Sequence, residues 1–234
     1  MGSSIEYQRS SDPSRESRLL DAAAGLFVHY GFDKTTVAEI AREAGVSKGA
    51  VYLHFESKDE LLEALILREL QAYADSWLGA VENHPSGGSI GGMVRCAMQA
   101  LHGHPLMVAI LRSDVGVFGN YLRKPESLLR RARGRSTRKA FVEAMQAAGV
   151  IRTDVDPAVT AHIMNMLSFG LVAIEQVIEA DEAPPLDALL DGIAEFMDRA
   201  LTPVGGGNHE AGKAILREFR AAGQERLAKV THAG

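Results

Sequence analysis

The chain has 234 residues, 46% of them hydrophobic and 24% charged, and a net charge of −5. Such a composition supplies a folded core and excludes a polycation that grips nucleic acid through its overall field, so any such binding must come from a local patch. The lone cysteine, Cys96, excludes an intramolecular disulfide, and no run reaches the roughly 18 apolar residues of a membrane span, so a cytoplasmic protein is expected.

Aromatic residues are sparse at 6% while Ala and Leu abound, which favours helices. Residues 1–14, MGSSIEYQRSSDPS, are polar, lack the apolar centre of a signal peptide and read as a disordered arm. From Arg15 to Tyr30, the positions Leu19, Ala22, Ala23, Leu26, Phe27 and Tyr30 recur at three- and four-residue steps, one face of a helix. Gly31 is placed to end it in a left-handed conformation. Thr36 and Glu39 form a capping box for a second helix of about eight residues that stops at Gly45. Val46 fills the turn, Ser47 is a candidate N-cap, and KGAVYLHF forms a third short helix. Ser57 and Glu60 make a second capping box, opening a long helix whose face is Leu62, Ile66, Leu70, Tyr73, Trp77 and Val81.

NHPSGGS at 83–89 is a loop. Beyond it, helices are predicted at about 89–103, 105–118, 125–148, 156–180 and 185–201, with breaks at HGHP, RKP, AGVIRTDVDP and EAPP. TPVGGGNH reads as a flexible linker before a modest amphipathic helix. No segment alternates with period two for long enough to suggest a sheet. The predicted fold is therefore all-α: a helix-turn-helix head over 15–60, a helical effector-binding and dimerisation body over 61–203, and a Gly-rich linker with a C-terminal helix over 204–234.

Two short helices joined by a glycine-containing turn, with a helix before them, have the helix-turn-helix layout, whose second helix fits a major groove about 12 Å wide. Val51 and Phe55 would face inward from that helix. Ser47, Lys48 and Gly49 would lie at its N-terminus, where free amides favour a phosphate. Gly49 and Ala50 are small enough for close approach to base edges, and Ala50 suits a thymine methyl. Lys48 could reach guanine acceptors or the backbone, while Tyr52, His54 and Lys58 would follow a phosphate strand, joined by the hydroxyls of Thr35 and Thr36. Against seven basic residues in 1–62 stand ten acidic ones, so binding must rest on a few placed cations, with a moderate salt dependence.

The stretch YGFDKTTVAEIAREAGVSKGAVYLHFESKDELLEAL resembles the N-terminal domain of the tetracycline-repressor (TetR) family of bacterial transcription regulators, over about residues 15–65. The resemblance implies a homodimer on a palindromic double-stranded DNA operator, usually a repressor, with a C-terminal domain that takes a small molecule. By position it implies DNA contacts from Thr36, Ser47, Lys48, Gly49, Tyr52, His54 and Lys58.

In the body, methionine suits a cavity that must mould to an apolar effector. Candidate lining residues are Met98, His102, Met107, Phe118, Tyr121, Phe141 and Met145, then Met166 and Phe169, with His162 and Asn165 as polar groups to orient a ligand. For each, ordinary core or surface packing is the competing explanation. A dimer interface is expected on two helices: Ile163, Leu167, Gly170, Leu171, Ile174 and Ile178 on one, Leu189, Ile193, Phe196 and Met197 on the other. The basic run RRARGRSTRK at 130–139 fits a solvated helix face or an anionic ligand. The histidines of HGHP and Cys96 do not make a metal-ligand set, and no cofactor is expected. A nucleophile elbow and a phosphate-binding loop are both missing, which leaves an enzyme as a remote alternative; a DNA-binding regulator without a small-molecule ligand is the other.

Overall fold

A computed structural model describes residues 13–132, 137–174 and 184–231. In chain order the helices are α1 (Pro13–Tyr30), α2 (Val37–Glu43), α3 (Lys48–Tyr52), α4 (Lys58–Asn83), α5 (Ile90–Leu101) and α6 (Pro105–Arg112). They are followed by α7 (Val115–Phe118), a 3-10 turn (Gly119–Arg123), α8 (Leu128–Ala132), α9 (Arg138–Ala147), α10 (Pro157–Ala173), α11 (Leu186–Leu201) and α12 (His209–Thr231). Strands are absent among the described residues, so the fold is all-α. The chain divides into two compact units, Met1–Ile66 with Asp114–Arg130, and Leu67–Ser113 with Arg131–Gly234.

The first unit forms for local reasons that the sequence announces. Gly31 ends α1 at φ 86°, and a Cβ there would lie 2.4 Å from the Gly116 carbonyl oxygen, so both conformation and packing require glycine. Thr36 caps α2: its hydroxyl accepts from the Glu39 amide, while the Glu39 carboxylate accepts from the Thr36 amide at 2.8 Å. Gly45 turns the chain at φ 67°, and the Val46 amide donates to Ala41 O at 2.9 Å. At α4 only half of the second capping box forms. Ser57 Oγ accepts from the Glu60 amide at 3.1 Å, but the Glu60 carboxylate accepts from Glu56. Tyr30, expected on the buried face of α1, is exposed and stands edge-on to His29.

The core of this unit joins Leu19, Ala23, Phe27, Phe32, Ile40, Val51, Phe55, Leu61, Leu62 and Leu65 with residues from far along the chain. The segment 114–130 supplies buried Val117, Phe118, Tyr121 and Leu128. Phe32 N–H donates to Val117 O at 2.7 Å, and Asn120 N–H donates to Asp33 Oδ2 at 2.9 Å. The Tyr121 hydroxyl donates to Glu63 Oε1 at 2.8 Å and accepts from the Leu128 amide at 2.9 Å. Lys124 pairs with Asp59. The expected single helix over 105–118 is interrupted because Ser113 adopts φ 50° and Asp114 caps the short α7, accepting from the Gly116 amide at 2.7 Å. The helix expected over 125–148 is represented by α8 and α9, with 133–136 outside the described residues.

In the second unit α5 packs closely on α11, with Gly91 against the Ala194 carbonyl, and Asp198 accepts from the Gly91 amide at 2.8 Å and the Ser89 hydroxyl at 2.9 Å. Helix α10 packs on α9 and α6, and α12 on α9. Leu216 of α12 is buried, the Phe219 ring lies edge-on to Phe141 at 5.2 Å, and Arg217 forms a two-pronged pair with Glu82 at 2.6 and 2.9 Å. The C-terminal helix thus docks on its own subunit's body. Gly88 and Gly212 permit it, because a Cβ on Gly212 would lie 2.1 Å from the Gly88 carbonyl oxygen.

The candidate ligand and dimer residues fall into distinct groups. Met98, Met107, Phe141 and Met145 are buried together in the second unit's core, beside Met93 and Met164. Phe118 and Tyr121 are not there: they are core residues of the first unit. His102 is exposed at the C-cap of α5. His162, Asn165, Met166 and Phe169 do not line an interior either; they are exposed on the outer face of α10, together with Val159 and Ile163. Among expected interface residues, Ile163, Ile174 and Phe196 are exposed, and Leu167, Gly170, Leu171, Leu189 and Ile193 are half-buried. Met197 is corrected to an internal role, being 3% exposed in its own subunit's core, and Ile178 lies outside the described residues. The basic run is not a single face. Arg138 reaches inward to the Ser168 hydroxyl at 3.2 Å, Lys139 pairs with Glu143 at the surface, and residues 133–136 lie outside the described residues.

Candidate nucleic-acid interface

Helix α3 is five residues long, too short to persist without support. Its support is visible. Val51 and Phe55 are buried in the first unit, and α2, which packs on both α1 and α3, contributes buried Ile40 and Ala41. Ser47 holds an extended backbone at φ −75°, ψ 152°, and its Oγ accepts from the Ala50 amide at 3.2 Å, which fixes where the helix begins.

The opposite side of α3 is open. Ser47, Lys48, Gly49 and Tyr52 are exposed, and Ala50 and His54 are half-buried. The Lys48 ammonium lies 6.0 Å from the Tyr52 ring centroid, so cation and phenol share one face. Gly49 has no left-handed conformation to justify it, and the nearest atom to an added Cβ, Ser47 Oγ, is 3.9 Å away. Nothing inside the chain demands glycine there, whereas a base edge approaching α3 would. Sequence reasoning overlooked Leu53, 63% exposed beside Tyr52. Its signal was available: a large apolar residue at a position that the burial of Val51 and Phe55 turns outward.

Two expected contacts are corrected. Thr35 is 2% exposed, and its hydroxyl donates to Gly31 O at 2.9 Å, so it braces the α1–α2 turn and faces no phosphate. Lys58 is half-buried; its ammonium donates to Phe32 O at 2.6 Å and Thr35 O at 2.8 Å and sits 4.1 Å from the Phe32 ring centroid. Burial pushes its pKa down, against the opposing pull of Asp33 and Asp59. Thr36 stays exposed, but its hydroxyl is engaged in the α2 cap, donating to Glu39 Oε2 at 2.8 Å. Those bonds from Thr36, with smaller effects of Arg42 and Lys58, hold the Glu39 carboxyl below the usual carboxylate range.

A short capped helix with a polar, glycine-bearing outer face, propped by two others, defines a helix-turn-helix DNA-binding protein. Residues 19–65 match the family model for bacterial regulatory proteins of the tetR family. The chain is 27% identical over 195 residues to the HTH-type transcriptional regulator UidR of Escherichia coli (strain K12), covering 80% of this chain and 95% of UidR. It is 30% identical over 174 residues to the A-factor receptor protein of Streptomyces griseus, covering 70% of this chain and 54% of the receptor. Among solved structures, a protein described as a TetR-family transcriptional regulator from Rhodococcus sp. superposes with a TM-score of 0.57 at 26% identity, over 81% of this chain and 100% of that one. The chain belongs to the TetR family of transcriptional regulators. It is a regulator, not an enzyme. No helix among the described residues is long and apolar enough to cross a membrane.

Proposed function

We propose that this regulator is a ligand-responsive repressor, acting in the cytoplasm, that binds a palindromic DNA operator as a homodimer and is released by a small apolar effector. The observation that carries the DNA-binding half is the outer face of α3, where Lys48, Gly49 and Tyr52 are all exposed on a helix whose other side is core. In this reading Lys48 and Tyr52 meet the backbone or a guanine edge, Gly49 lets the helix axis come close, and Leu53 packs on thymine methyls.

The effector half rests on the second unit's core, where Met93, Met98, Met107, Met145 and Met164 gather around Phe141. Unbranched, polarisable side chains can reshape around an apolar guest at low cost in rotamer strain. Relatives lend support: the mycobacterial KstR2, 26% identical over 153 residues, covering 61% of this chain and 72% of that protein, is an HTH-type transcriptional repressor. Dimerisation rests on the open apolar faces of α10 and α11, where Met166, Phe169 and Phe196 are exposed. Two heads in one dimer would use successive major grooves about 34–36 Å apart. Release would follow from an effector that favours a different spacing, with a differential affinity of about 1–3 kcal/mol changing occupancy roughly 5- to 150-fold. Helix α4, which contributes residues to both units, is the covalent path for that coupling.

A mobility-shift titration on a selected operator tests the coupling. A panel of apolar acids, sterols and lactones is added at saturating concentration, as judged by their quenching of Trp77. Operator release by a compound that binds is the expected result. A compound that binds tightly and leaves operator affinity unchanged contradicts ligand control.

A further inference from the structure

Lys58 opens α4, at the positive end of that helix, where a cation is electrostatically disfavoured. Something outside the helix must hold it there. Phe32 and Thr35 lie in the irregular turn between α1 and α2, and their carbonyls receive the ammonium at 2.6 and 2.8 Å while the Phe32 ring lies beneath it at 4.1 Å. An ammonium has three donors, and two are committed to this turn. The same turn is braced from within by the Thr35 hydroxyl on Gly31 O and fastened by the Phe32 amide on Val117 O. It leads directly into Thr36, the cap of α2, and α2 is the helix on which α3 rests.

We propose that Lys58 is a positioning residue for operator recognition: its ammonium bolts the start of α4 to the turn ahead of α2, and so sets the angle at which α3 is presented. It neutralises no phosphate. This inference rests on the DNA-binding reading of α3, and its test separates the two. The charged groups around the bolt are Asp33, Asp59, Lys124 and Glu39. Lys124 is itself paired with Asp59, so the nearby carboxylates keep the ammonium charged in the pocket without displacing it from the carbonyls.

The experiment uses the full-length protein and a selected operator duplex, with affinity followed by fluorescence anisotropy from about 50 to 300 mM salt. Lys58→Met and Lys58→Arg are compared with Lys48→Ala, and amide exchange across α2 is measured without DNA. Lys58→Met is expected to weaken binding about 10-fold, from the loss of charged hydrogen bonds, with a log–log salt line parallel to wild type and faster exchange in α2. Lys58→Arg is expected to weaken it as well, because a guanidinium does not fit the space between two carbonyls and a ring. Lys48→Ala should flatten the line by about 0.9, the signature of one lost phosphate contact. A flattened line for Lys58→Met, or undiminished affinity in either Lys58 variant, overturns the proposal. Should the wild type bind no duplex at all, the DNA reading fails instead. Exchange in α2 then judges the bolt alone: faster exchange in Lys58→Met upholds it and unchanged exchange removes it.

Discussion

At Gly49 the chain carries a residue that its own packing does not require, since an added Cβ would meet only Ser47 Oγ at 3.9 Å. Gly49→Ala should therefore stabilise the free protein by about 0.5–1 kcal/mol through the backbone. The same change should weaken operator binding about 10-fold, because the methyl stands where a base edge must approach. Thermal melts and anisotropy on one preparation read both effects, and a variant that binds normally would remove Gly49 from the interface. Glu39 sets a pH dependence. Its folded pKa is depressed by Thr36, so the stabilisation is complete above its unfolded value and is lost as pH falls through the lower folded value. Amide protection of α2 should then decline on acidification into the carboxylate range. Glu39→Gln, which can still complete a capping box, should decline less. Equal acid sensitivity of the two would place the titrating group elsewhere. These residues were legible because capping and turn chemistry act within four positions: Gly31, Thr36, Glu39, Gly45 and Ser47 all do what their neighbours require. Thr35 and Lys58 were misassigned for a long-range reason. The partners that draw them inward, Gly31 O for one and Phe32 O with Thr35 O for the other, are acceptors of a folded turn that no sequence pattern displays.

Among elements, the segment 114–130 shows where local reading stops. Periodicity suggested one helix through residue 118, but Ser113 takes a left-handed conformation and the chain beyond it joins the first unit's core. Tyr121 is central there, bonded to Glu63 and to the Leu128 amide. Tyr121→Phe should cost about 1–3 kcal/mol, since the Glu63 and Leu128 groups lose a shared partner away from water. Chemical denaturation followed by amide exchange of α1 and α2 checks this; a loss confined to the second unit would contradict the placement. Helix α10 failed to reveal its faces for a different reason. Its sequence is apolar nearly all round, so hydrophobic spacing carries no phase, and ligand and interface roles were divided between residues that share one exposed side. Coordinates separate them: Thr160, Ala161, Met164, Ser168 and Val172 face inward, and Val159, Ile163, Met166 and Phe169 face out.

For the molecule as a whole, the outward residues of α10 and α11 are too apolar to stand in water unassisted, with Met166 62%, Phe169 56% and Phe196 67% exposed. Phe169→Asp or Phe196→Asp should give monomers in sedimentation equilibrium and reduce operator affinity about 100-fold or more, because the second half-site no longer adds to the first. A dimer that persists in both variants would move the interface elsewhere. The overall negative charge sets a limit on how the heads bind. Few cations remain for phosphates once Lys58 and Lys124 are engaged internally, so the salt dependence should be shallow for a dimeric regulator. The most direct test of the central claim is selection of genomic fragments by the purified protein, run in parallel with a Lys48→Ala/Tyr52→Phe variant. Wild type should enrich a palindrome whose half-sites are centred about one helical turn, 10–10.5 base pairs, or a multiple of it apart, and the variant should lose that enrichment while remaining a folded dimer. Enrichment of the same palindrome by the variant, or none by the wild type, would contradict the assignment of α3 as the helix that enters DNA.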